Sequence, residues 1–235
     1  MTRTARTGAA DERPAGGPPT DELGAGPSGA GRLEAFSDGI MAIAITLLIL
    51  DVRLPPGHHD PSLLTRLGRL WPSYLAYLDS FVTIGVVWMC HHAFFRRIQH
   101  VDVWLMWANL VLMSVIAFLP FPTAVLSAHI GQGGTSAKVA TAFFGLVATL
   151  QAVAWLLMWA AVRHRPTLLK PCYDASFARV ENRLGWIGVA VFSGCIALAL
   201  VAPWLALGVY LAAVVGFGAT VNGWHALAGR PPSGA

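Results

Sequence analysis

Between Leu184 and Gly229 the chain carries no Asp, Glu, Lys or Arg. As one helix that run would extend about 69 Å, more than twice the ~30 Å of bilayer hydrocarbon. Pro203-Trp204 near its middle divides it and predicts a tight pair of crossings, Leu184–Ala202 and Pro203–Val221. Composition agrees: 55% of residues are hydrophobic, 12% are charged, and mean hydropathy is +0.59, values that exclude an ordinary soluble domain and indicate a polytopic membrane protein.

Four more spans precede that pair. Leu33–Leu54 is closed by Pro55-Pro56-Gly57, and Leu70–Phe95 ends in Arg96-Arg97. Val103–Ser127 carries Asn109 inside and Pro120 and Pro122 toward its end, while Val139–Val162 ends in Arg163-His164-Arg165-Pro166. The expected fold class is therefore all-α, with six transmembrane helices per subunit. Residues 57–69 are expected to form a short surface helix capped by Ser62 or Asp60.

Residues 1–31 are rich in Gly, Pro, Ala, Thr and Arg and lack aromatics. Such a segment cannot bury enough apolar surface to offset ordering entropy, so a disordered tail is expected. It has neither the apolar core of a signal peptide nor the amphipathic pattern of a transit peptide. A short tail is expected at 224–235, leaving 32–223 as the membrane domain.

Six spans place both termini on one side. With the amino terminus in the cytoplasm, 12 of the 16 Lys and Arg residues fall inside and only Arg53, Arg66, Arg69 and Lys138 outside. Discounting the remote Arg3, Arg6 and Arg13 leaves the same bias, so the positive-inside rule sets both termini in the cytoplasm of a plasma-membrane protein.

The first span is the unusual one. Its charge-free part, Gly39 to Leu50, rises only about 18 Å, short of the bilayer. Extending it brings in Glu34, Asp38, Asp51 and Arg53, and charges at membrane depth face a bundle interior or a water-filled path. No second copy of this helix occurs in the chain. A pore lined by several copies then requires self-association, with closed rotational symmetry as the expectation.

On that helix Ile43, Leu47 and Leu50 form one narrow stripe at spacings of four and three. A packing seam and a hydrophobic constriction around an axis both fit the stripe. Thr46 lies beside it, free to serve an ion or its own i−4 carbonyl, the commoner use. Phe36-Ser37-Asp38-Gly39 reads either as a cap for a helix starting at Gly39 or as part of a longer helix. In the second case Arg32, His91, His92 and Asn109 are the candidate partners of Asp38.

His91 and His92 follow Trp88 at the end of the second span. Adjacent helical residues point about 100° apart and do not chelate as an i, i+4 pair does, so no metal is expected there. Cys90 and Cys195 sit in apolar helices and Cys172 in a basic loop, where reduced thiols are the default. Trp71, Tyr74, Tyr77, Trp104 and Trp107 read as interfacial or packing aromatics. No nucleophile–base set, phosphate-cradling loop or cofactor pattern emerges, so neither an enzyme, a cofactor nor a nucleic-acid partner is expected.

At Arg32-x-x-x-Phe36-Ser37-Asp38-Gly39, followed by Ala42-Ile43-x-x-Thr46-Leu47-x-x-Leu50, the chain resembles the transmembrane-protein-175 family of potassium channels in its bacterial single-repeat form. The similarity continues through Ser80-Phe81, Trp88-x-x-His91-His92-x-x-Phe95, Asn109 and Phe118-Leu119-Pro120-Phe121-Pro122. The last three helices resemble the family only in hydropathy and number.

That resemblance implies a homotetramer of six-helix subunits, with the first helix of each lining the pore. Carried over by position, it makes Ile43, Leu47 and Leu50 the aliphatic constriction and Thr46 a selectivity position. Arg32, Phe36, Ser37 and Asp38, with Trp88, His91, His92 and Asn109, become a structural network. The expected function is a weakly selective potassium channel without a carbonyl filter, K+ being the permeant ion. The rival is a proton- or cation-coupled small-solute transporter using Asp38 and His91 or His92. The Gly/Pro-rich tail lies outside the family pattern.

Overall fold

The computed structural model describes residues 29–54, 62–172 and 175–228, with side chains left out at 175–178 and 221–228. Residues 1–28 of the expected tail, Asp60 and the last residues lie outside this set, whereas residues 29–31, expected in the disordered tail, are helical. Among the described residues the secondary structure is helical apart from a single β-bridge. The helices are α1 (Gly29–Leu47, continued by a 3-10 turn Leu48–Asp51), α2 (Leu63–Arg69), α3 (Trp71–Phe95), α4 (Val103–Phe118), α5 (Pro120–His129), α6 (Gly134–His164), α7 (Ala175–Ala199) and α8 (Pro203–Ala228).

Among the described residues six stretches are long and apolar enough to cross a membrane, α4 and α5 counting as one. The chain is a membrane protein with the expected number of crossings. Pro120 explains the third: it lacks an N–H and crowds the preceding turn, so the helix restarts there instead of ending near Ser127. The span then continues to Gln132. Gly133 and Gly134, at φ 69° and 61°, make the left-handed turn that reverses the chain into α6.

Several ends run past their sequence-based limits. α1 starts at Gly29, α6 covers Gly134–His164 rather than Val139–Val162, and α8 continues to Ala228. Apolar runs mark membrane thickness, whereas the hydrogen-bond ladder continues into polar flanks until a breaker stops it. At 62–69, Ser62 precedes α2 and its Oγ meets Thr65 Oγ1 at 3.2 Å, without bonding a backbone N–H.

Two loops meet at one end of the bundle. Lys170 N donates to Arg97 O at 3.0 Å and Gln99 N to Leu168 O at 2.8 Å, joining the α3–α4 and α6–α7 connections. Asp102 caps α4 through Leu105 N (2.8 Å) and pairs with Arg165 Nη1 at 3.0 Å. At the other end Trp71 stacks on Trp204 with ring centroids 4.8 Å apart, and Gly131 faces Pro72. The alternation of loops between two ends matches a chain that crosses repeatedly. All three cysteines are free thiols.

The core forms around α6, which lies against α4, α5, α7 and α8. Its buried small residues, among them Ala140, Gly145, Ala148 and Ala154, let neighbouring backbones approach closely. A side chain at Gly145 would run into Tyr210, whose ring packs between Phe144 and Phe192. α1 stands apart from this centre. Its main neighbours are α3 and α4, so it forms an edge of the subunit.

Candidate functional site on the first helix

α1 has two unlike faces. Ala30, Ser37, Met41 and Ala44 are buried on the side that packs on α3 and α4, and Leu48, four further on, is buried where the 3-10 turn meets α3 and α5. Arg32, Phe36, Gly39, Ile43, Thr46, Leu47 and Leu50 are exposed on the other side. Ile43 is 63% exposed, Leu47 42% and Leu50 53%, so a subunit alone leaves its most aliphatic ridge uncovered.

The helix runs unbroken through Phe36-Ser37-Asp38-Gly39, so neither Ser37 nor Asp38 caps a helix beginning at Gly39. Ser37 Oγ instead donates to Leu33 O at 2.9 Å. Thr46 Oγ1 lies 3.1 Å from Ala42 O and 2.8 Å from Ile43 O, so its proton serves its own helix. Its lone pairs stay on the exposed face.

Behind the exposed ridge, polar side chains fasten α1 to α3 and α4. α1 and α3 run antiparallel, and Glu34 and Asp38, four apart, meet His92 and Trp88, also four apart. Glu34 Oε1 lies 2.7 Å from His92 Nδ1, and Trp88 Nε1 donates to Asp38 Oδ1 at 3.1 Å. The Trp88 and His92 rings lie nearly parallel, with centroids 6.2 Å apart. None of the four expected partners reaches Asp38. The indole N–H does, because α3 turns Trp88 rather than His91 toward that carboxylate.

Deeper in the subunit, His91 Nε2 lies 2.9 Å from Asn109 Oδ1, and Asn109 Nδ2 donates to Ser37 Oγ at 2.9 Å. With Ser37 donating onward to Leu33 O, each link has one direction and His91 carries its proton on Nε2. His91, Asn109 and Ser37 are all fully buried. The structure therefore joins Ser37, Asp38, Trp88, His91, His92 and Asn109 into two parallel seams. It leaves Arg32 and Phe36 outside them: both are exposed, and Arg32 makes no hydrogen bond or ion pair among the described residues.

Three features escaped the sequence reading. Ser80 Oγ meets Thr123 Oγ1 at 2.6 Å while Thr123 donates to Leu119 O, tying α3 to α5 just past the proline break. Asp79 is 2% exposed, with no hydrogen bond to either carboxylate oxygen among the described residues. Glu181 on α7 is 6% exposed and faces a cavity. For Asp79 an acid inside the Leu70–Phe95 span was the available signal, whereas Glu181 lies just ahead of the Leu184–Ala202 span.

The fold and these seams define a polytopic membrane protein of six crossings, whose first helix is pinned at the subunit edge with an aliphatic ridge turned outward. Residues 32–120 match the family model for the endosomal/lysosomal potassium channel TMEM175. The chain is 40% identical to a protein named potassium channel from Streptomyces collinus over 168 residues, covering 70% of this chain and 81% of that one. Over 197 residues it is 32% identical to a potassium channel from Chamaesiphon minutus, covering 83% and 96%. The mouse endosomal/lysosomal proton channel TMEM175 is 29% identical over 186 residues, covering 74% of this chain and 36% of that one.

In structure, the chain superposes with a TM-score of 0.72 on the crystal structure of a lysosomal potassium-selective channel TMEM175 homolog from Chamaesiphon minutus. The sequence identity is 31%, and the match covers 82% of this chain and 98% of that one. A likeness to MtTMEM175 at 20% identity and a TM-score of 0.56 shows the same fold. The chain belongs to the TMEM175 family, a family of ion channels and not a class of enzymes.

Proposed function

We propose that the chain is a potassium channel that works as a homotetramer, with α1 of each subunit around a central axis. The observation that carries this reading is the exposed ridge of Ile43, Leu47 and Leu50 on an edge helix whose opposite face is fastened to α3 and α4. In a tetramer those ridges converge. Rings of bulky aliphatic side chains then narrow the path and exclude water, which makes them a hydrophobic constriction for K+ and other monovalent cations.

Thr46 supplies hydroxyl lone pairs beside the ridge and is the proposed selectivity position. Selectivity is weak, since a hydroxyl ring gives far fewer ligands than stacked carbonyls. Arg32, Phe36, Ser37, Asp38, Trp88, His91, His92 and Asn109 act in structure rather than in contact with the ion, and no cofactor takes part. Both termini lie in the cytoplasm of a plasma-membrane protein, as the 12-to-4 charge split supports.

The transporter alternative uses Asp38 with His91 or His92. Asp38 is bonded by Trp88, His92 meets Glu34 and His91 meets Asn109, so neither histidine hydrogen-bonds to Asp38, which favours a fixed scaffold over a shared proton site.

Purified protein in liposomes tests the proposal. Leu47→Ala and Ile43→Asn are expected to change K+ flux several-fold, and Leu47→Cys to form disulfide-linked subunits on oxidation. Unchanged flux in both flux variants would remove these residues from the ion path. Saturable solute uptake without ionic current would favour the transporter.

A further inference from the structure

Away from α1, five helices (α3, α4, α6, α7 and α8) line a half-open cavity of about 100 Å³. Glycines on α7 help create it. A methyl group at Gly188 would lie 3.3 Å from Phe217, and one at Gly185 would collide with Leu156, so α7 sits close and sends no side chain into the space from these positions. The walls are chiefly apolar and aromatic, with Val86, Trp155, Phe192 and Phe217 among them.

The polar groups facing the cavity are matched to a donor. Glu181 is buried, lines the cavity, and makes no hydrogen bond or ion pair among the described residues. Gln151 lines it too, and its Oε1 is buried without a hydrogen bond among the described residues. Thr220 donates its proton to Phe217 O at 2.8 Å, which leaves only lone pairs for a ligand. Arg97 acts electrostatically on Glu181 and on Cys90 but does not line the cavity. A buried carboxylate facing apolar walls without a hydrogen-bonding partner is costly, and a bound cation with N–H groups removes that cost.

We propose that this cavity binds a small organic cation, a short-chain alkylammonium. Its ammonium donates to Glu181 and Gln151, and its carbon chain lies against Trp155 and Phe192, whose faces attract positive charge. A cavity of about 150 Å³ holds benzene, so roughly 100 Å³ suits four or five carbons. The site is separate from the proposed ion path but one helix away from it: α3 lines the cavity with Val86 and Cys90 and holds α1 through Trp88, His91 and His92. Occupancy therefore modulates conduction through α3.

Binding to the purified full chain in detergent tests this without reference to flux. Calorimetry and thermal midpoints are measured with isobutylammonium and with isobutanol as the neutral control. The expected result is saturable isobutylammonium binding, tenfold or more weaker in Glu181→Gln, lost in Ala152→Leu, and at least tenfold weaker for isobutanol. The unliganded midpoint shows whether each variant folds; should Ala152→Leu fail, Gln151→Leu is expected to weaken binding at least threefold. Absence of saturable binding to the wild type, undiminished affinity in Glu181→Gln, or equal affinity for isobutanol would overturn the assignment. So would binding lost in Leu47→Asn but kept in Glu181→Gln, which would place the cation in the ion path.

Discussion

Asn109 and Ser37, joined from Nδ2 to Oγ at 2.9 Å across 72 positions of sequence, fasten α4 to the back of α1. Asn109 is the hinge of that seam because its amide faces two ways, accepting from His91 and donating to Ser37. The exposed ridge can be presented outward only if this inner face is held.

Replacing Asn109 by Leu keeps the bulk but removes both functions of the amide. It leaves the buried His91 Nε2–H without an acceptor and Ser37 Oγ without a donor, each costing about 1–3 kcal/mol. The expected outcome is a clear fall in the thermal midpoint of the purified protein. Asn109→Gln, which keeps both groups but lengthens the arm, is expected to recover only part of it. An unchanged midpoint in Asn109→Leu would show that the seam contributes little.

The Ser80–Thr123 contact is the corresponding fastener on the far side of the Pro120 break. Interhelical hydrogen bonds in membranes contribute about 0.6 kcal/mol on average and up to about 1.7. A double-mutant cycle with Ser80→Ala and Thr123→Val, read by unfolding in mixed detergent, is expected to give a coupling in that range. Thr123→Val alone also removes the bond to Leu119 O, so the coupling, not the single effect, measures the link between α3 and α5.

The sequence made the number of crossings and the special status of α1 legible, and particular residues show where legibility stopped. Pro203 divided the charge-free run correctly because a proline acts locally. Periodicity placed Ile43, Leu47 and Leu50 on one face, yet it gives no rotation of α1 relative to its neighbours. For the same reason the partner of Asp38 was misjudged: depth in the membrane selected Arg32, His91, His92 and Asn109, whereas the rotation of α3 brings in Trp88. The burial of Asp79 and Glu181 depends on how neighbouring helices pack, which no local pattern encodes.

Gly145 offers a sharp packing test. A methyl group there would meet the Tyr210 ring and hydroxyl, and overpacking of this kind costs about 1–3 kcal/mol. Gly145→Ala is expected to lower the midpoint. Tyr210→Phe, which removes the colliding oxygen, a hydroxyl with no hydrogen bond among the described residues, is expected to restore part of the loss. Independent, additive effects of the two substitutions would show that α6 and α8 relax apart instead of clashing.

Thr46 separates a structural hydroxyl from an ion-facing one. Its proton goes to the Ala42 and Ile43 carbonyls, and an exposed helical bond of this type adds little stability. Thr46→Val keeps the shape and removes the oxygen, so the stability is expected to stay within about 0.5 kcal/mol of the wild type, as for other surface changes. Flux should respond differently. If the lone pairs of Thr46 face the ion beside Ile43 and Leu47, their loss changes the ratio of K+ to Na+ permeability in liposomes, while Thr46→Ser retains it. A permeability ratio equal in wild type, Thr46→Val and Thr46→Ser would confine this hydroxyl to its own helix and leave the aliphatic ridge to set the path alone.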